Sequence, residues 1–182
     1  MLSGWGAEEL RVAMTLYTDT FVIRGTLATR HRRLTDVVNL AEEFLVLEDA
    51  QLQAHGGRAE RHDSPYAQVN LGAVLFAIAS DTVVASPELR TPKVAETTLI
   101  SIPPFSVTGR IHLLPERDVR AALEELNGRF IPVTDATFWS DLLGEAPTSA
   151  TMIAVNHARA QILSPYGHAD PAEGAAEGAA SE

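Results

Sequence analysis

Apolar and polar residues alternate along much of this chain with the two-residue period of a half-buried strand. In Phe21-Val22-Ile23-Arg24-Gly25-Thr26-Leu27, Phe21, Ile23, Gly25 and Leu27 fall on one side and Arg24 and Thr26 on the other. Phe105-Ser106-Val107-Thr108-Gly109-Arg110-Ile111 repeats that pattern 84 positions later, and the runs just ahead, Val12 to Leu16 and Glu96 to Ile100, superpose at the same spacing. Downstream the spacing becomes 86. Phe44 to Ala50 lies over Phe130 to Ala136, and Val69-Asn70 over Val155-Asn156. Identities are few, but spacing, alternation and punctuation agree, which is the signature of an internal duplication.

The two extra residues fall between strands, where the period changes to that of a helix. Pro115 starts it, Glu116 and Asp118 sit in its first turn, Val119, Ala122, Leu123 and Leu126 share a face, and Asn127-Gly128 stops it. In the first half Leu34 to Glu43 carries a shorter apolar face of Leu34, Val37, Val38 and Ala41. Each half therefore predicts a strand, a tight turn, a long strand, a short helix, a strand, and a closing apolar stretch, Tyr66 to Ile78 or Met152 to Leu163. Gly25 and Gly109, at inward positions, are structural residues that let the backbone bend or another strand come close. Such bends suit small barrels. The expected fold is mainly β: two similar small β-barrel halves, each with one short helix, packed together.

Punctuation sets the expected boundaries. The first half runs over 8–85, a linker with two prolines over 86–94, the second half over 95–167, and an acidic disordered tail over 168–182. Ala54 to Pro65, with its Gly-Gly pair, reads as an exposed loop. Halves of about 75 residues are marginal alone, so they are expected to share apolar surface, and exposed edges favour self-association.

Composition narrows the function. The 182 residues are 46% hydrophobic and 21% charged, with net charge -10 and no cysteine. That is a globular composition without disulfides, thiolate metal sites or Cys nucleophiles. Asp170, Glu173, Glu177 and Glu182 supply four of the negative charges, and the acidic remainder disfavours general binding to RNA or an anionic membrane. The first residues lack a signal-peptide pattern and no run is long and apolar enough to span a bilayer, so a cytoplasmic location is expected.

The segments Gly25-Thr26-Leu27, Arg33-Leu34-Thr35-Asp36-Val37-Val38-Asn39, Phe44-Leu45-Val46-Leu47-Glu48-Asp49-Ala50 and Val69-Asn70 together resemble a family of small uncharacterised prokaryotic proteins with an Sm-like or SH3-like barrel. The second half keeps Gly109, Phe130 to Ala136 and Val155-Asn156, but departs at Arg117 to Leu123, where neither Asp nor Asn stands in the places of Asp36 and Asn39. The resemblance implies a fold and no reaction.

Candidate sites are few. Arg30, Arg32 and Arg33 in Thr29-Arg30-His31-Arg32-Arg33 form the densest basic cluster; in an Sm-like reading they would contact phosphates, otherwise they are a solvated loop, and no aromatic is interleaved to stack bases. Asp36 and Asn39 make a polar recognition pair, or else Thr35 or Asp36 caps the helix and Asn39 sits near its end. Asn70 and Asn156 recur in both halves, as do Asp49 and Asp135, which favours structural roles at bends and strand ends. His55 and His62-Asp63 lie in a Gly-rich stretch, too few and too loosely held for zinc. No nucleophile–base pair, phosphate loop or metal motif is present. The sequence thus points to a non-enzymatic module without catalytic residue, cofactor or metal. It would bind a protein partner or itself, with RNA binding through the arginines, or a small ligand held between the halves, as the alternatives.

Overall fold

The computed structural model describes residues 9–31, 33–56, 61–80, 93–115, 118–124 and 126–166. In chain order they form β1 (Leu10–Thr18), β2 (Phe21–Thr29), α1 (Leu34–Leu40), β3 (Phe44–Ala54), β4 (His62–Asn70), β5 (Val74–Ala79), β6 (Val94–Ile102), β7 (Phe105–Leu113), α2 (Val119–Glu124), β8 (Phe130–Ser140), β9 (Glu145–Asn156), a 3-10 turn (His157–Arg159) and β10 (Ile162–Pro165). The protein is mainly β. β1 and β2 correspond to β6 and β7 at the 84-residue spacing, and β3 to β8 at 86.

All ten strands belong to one antiparallel sheet in the order β10-β6-β7-β8-β9-β5-β1-β2-β3-β4. In place of two small β-barrel halves packed together, the strands form one open sheet in which the edges at the middle satisfy each other. Phe76 and Ala77 of β5 pair with Val155 and Ala154 of β9, so backbone groups that closure would have paired within each half are paired between halves. The two outer edges, β4 and β10, lie at the ends of the order.

Local irregularities interrupt the regular pairing in each half. Pairing of β2 with β3 slips between Arg24 and Thr26, and pairing of β7 with β8 between Thr108 and Arg110. A Cβ on Gly25 would stand 2.9 Å from Leu47 Cβ and 3.0 Å from the Glu48 carbonyl; one on Gly109 would stand 2.5 Å from Val133 Cγ1. Opposite these bare backbones, Asp49 and Asp135 take left-handed φ values of 50° and 49°. They are bulge residues inside β3 and β8 rather than residues at strand ends, and such bulges add twist where a long strand must bend.

Several boundaries differ from the sequence reading. α1 ends at Leu40, since Ala41 is already extended, and its N-cap is Arg33 with no side-chain cap, so neither Thr35 nor Asp36 caps it. The start predicted for α2 at Pro115 moves to Val119. β3 runs on through Ala54 and β4 begins at His62, because cross-strand pairing absorbs both ends of the polar stretch. Val94, assigned to the linker, opens β6 opposite Leu113; residues 86–92 of that linker and the tail 168–182 lie outside the described residues.

The halves interlock through their cores. One cluster, built on Met14, Leu16, Leu47 and Val38, includes Phe130 and Ala154 from the second half. The other, built on Ile100, Val107, Ile111 and Ile153, includes Leu75 and Phe76 from the first. No helix among the described residues is long and apolar enough to cross a membrane.

Candidate functional site

The chemistry at the junction of the halves begins with Asn39. In the last turn of α1, its Nδ2 donates to the Phe130 carbonyl at 2.9 Å while its Oδ1 accepts from the Phe130 N–H at 2.8 Å. One amide thus reproduces the double hydrogen bond of a strand neighbour at the start of β8. Arg129 Nη2 donates to the Glu42 carbonyl beside it. Asn156, 1% exposed, donates from Nδ2 to the Leu71 carbonyl at 3.2 Å and the Val74 carbonyl at 2.8 Å. Buried carbonyls at the turn before β5 are thereby satisfied across the halves.

Apolar packing fills the rest of the joint. Phe76 stacks on Tyr17 with ring centroids 4.5 Å apart and meets Phe105 edge-on at 5.3 Å and Phe138 at 4.9 Å. The cluster joins Tyr17 and Phe76 of the first half to Phe105 and Phe138 of the second. An open hollow of about 410 Å³ is lined by Asp49, Gln51, Asp63 and Ser64 among others, all of the first half. Burial pushes the Tyr17 phenol above its ordinary value of 10.0, with Arg24 opposing and Glu145 assisting.

The sequence candidates separate. Arg30 and Arg33 are exposed at the approach to α1, with no ion pair among the described residues, and Arg32 lies outside the described residues. Asp36 is exposed in the first turn of α1. Asn39 is bonded to Phe130, and no hydrogen bond among the described residues joins it to Asp36. Asn70 and Asn156 begin alike: Asn70 Oδ1 accepts from the Gly72 N–H at 2.8 Å and Asn156 Oδ1 from the Ala158 N–H at 3.2 Å. They differ in burial, Asn70 being exposed. His55 bonds through Nε2 to the Thr18 carbonyl at 2.8 Å, and His62 is exposed in β4.

The outer edges carry apolar residues whose counterparts at the joint are covered. Phe44 is 46% exposed whereas Phe130, 86 positions on, is 1% exposed; Ile162 is 58% exposed whereas Phe76 is fully buried. Val46 and Tyr66 accompany Phe44 on the β3–β4 side, and Val94 and Tyr166 accompany Ile162 on the β6–β10 side. Sequence reasoning missed Phe76 and Arg129 because neither recurs in kind: their counterparts are Ile162 and Glu43. The one available signal was Asn39 itself, a polar residue without an equivalent in the second half.

No protein-family model, curated protein or solved structure matches the chain.

Proposed function

We propose that this chain is a non-enzymatic interaction and assembly module, built from two Sm-like or SH3-like units, that takes up protein partners by strand addition at the ends of its sheet. The observation that carries this reading is the pair of outer strands, β4 and β10, each flanked by exposed large apolar side chains. An edge strand offers a row of backbone donors and acceptors to another strand, and apolar neighbours add the affinity that hydrogen bonds exchanged with water do not supply.

The test compares the wild-type chain with Phe44→Lys/Ile162→Lys, which places a charge at each edge at positions exposed enough to tolerate it. Light scattering and affinity capture should show association, with itself or another protein, that the double variant loses. A wild-type chain that stays monomeric and recovers no partner, or a double variant that associates equally well, overturns the reading.

A further inference from the structure

The joint between the halves is a template for a contact that β4 and β10 do not make on their outer sides among the described residues. Its geometry is head-to-tail: β9, the second half's counterpart of β4, lies against β5, the first half's counterpart of β10. β4 and β10, each paired on one side only among the described residues, are therefore the same two surfaces at opposite ends of the sheet. A head-to-tail contact is not self-limiting unless it closes on itself.

Asn70 points to the occupant. Its Oδ1 already closes the same short turn on Gly72 that Asn156 closes on Ala158. Asn156 then spends its Nδ2 on the carbonyls of Leu71 and Val74, whereas the Nδ2 of Asn70 has no hydrogen-bond partner among the described residues. Leu71 and Val74 correspond at the 86-residue spacing to His157 and Ala160, and the turns match in their own hydrogen bonds: the Val74 N–H donates to the Leu71 carbonyl at 3.3 Å and the Ala160 N–H to the His157 carbonyl at 3.3 Å. The acceptors that would answer Asn70 are thus present on this chain, at its other end.

Resting on the reading of the edges as contact surfaces, we propose that the partner is a second copy of this chain. Its β10 lies antiparallel on β4 in the register of the internal joint, with Ile162 of the second copy opposite Val69, Leu163 opposite Gln68, and Asn70 Nδ2 donating to the carbonyls of His157 and Ala160. The contact is weaker than its template. Glu43 stands where Arg129 bonds across the internal joint, and Ile162 where Phe76 stacks on aromatic rings. Association between copies is accordingly reversible and concentration-dependent, while the internal joint stays closed.

Sedimentation velocity of the full chain from about 1 µM to 1 mM should show a mass rising from the 19.6 kDa protomer through successive additions, as mass action requires. Asn70→Asp keeps the acceptor for Gly72 and removes the donor, and it should weaken association at least tenfold without moving the melting temperature of the dilute protein. Because the chain has no cysteine, Gln68→Cys and Leu163→Cys chains can be mixed and treated with a short thiol–thiol cross-linker; they should couple to each other, and neither should couple to Asp36→Cys. A mass fixed at one protomer throughout, with no coupling, overturns the proposal. If edge-dependent capture of another protein persists in that case, the module reading stands without self-docking; if capture is absent too, both fail. Unchanged association of Asn70→Asp overturns the assigned role of Asn70.

Discussion

Asn39 replaces a stretch of backbone pairing with a side chain, so its removal leaves the N–H and C=O of Phe130 without their partners in a partly buried setting. Asn39→Ala should lower stability by about 1–3 kcal/mol in urea denaturation, the usual cost of stranding such groups. The inward glycines impose a steric condition instead. Gly25→Ala and Gly109→Ala each drive a methyl against a neighbouring strand at 3.0 Å from a backbone oxygen, and each should cost roughly 1–3 kcal/mol by the same assay. Tyr17 adds a pH dependence. Its phenol ionises near 10.0 in the unfolded chain and higher in the folded one, so the folded state holds the extra proton between those values. This contribution is fully present below pH 10 and is lost as pH rises from there through the folded value, and Tyr17→Phe should remove that part of the slope. The glycines were legible as strand residues of special purpose because inward alternation is a local property. Asn39 was not, because its partner lies 91 residues away.

Among the elements, β5 and β10 occupy equivalent places with opposite fates. β5 is buried on its outer flank by β9, and Phe76 packs among Tyr17, Phe105 and Phe138. Phe76→Ala should cost about 3–5 kcal/mol, as for large core truncations, whereas Ile162→Ala in the dilute chain should stay within about 0.5 kcal/mol, in keeping with an exposed site; thermal denaturation of the two variants side by side checks the contrast. The bulges at Asp49 and Asp135 show a different limit of sequence reading. An Asp-Ala step after an apolar run signals a turn as readily as a bulge, and only the continued pairing of Ala50 with Ser64 and Ala136 with Ala150 keeps those strands going. Their carboxylates lie near Arg11 and Arg110 at 3.9 and 3.3 Å on exposed surface, where such pairs contribute little.

At the scale of the whole molecule, each core borrows residues from the other half, so neither half is complete alone. Unfolding followed by far-UV circular dichroism and by tryptophan fluorescence, which includes Trp139 in β8, should give coincident single transitions, and separate transitions would show that the halves fold independently. The strands, their alternation, the 84 and 86 spacings and the short helices were determined by the sequence itself, because a two-residue period and a glycine at an inward site act within a few residues of chain. Whether each half closes on itself or hands its edge to the other was decided only in three dimensions. That choice depends on pairing Phe76 with Val155 across 79 positions and on amides bridging distant backbones. Two equivalent edges look identical in a repeat; the structure distinguishes them by which one is already covered.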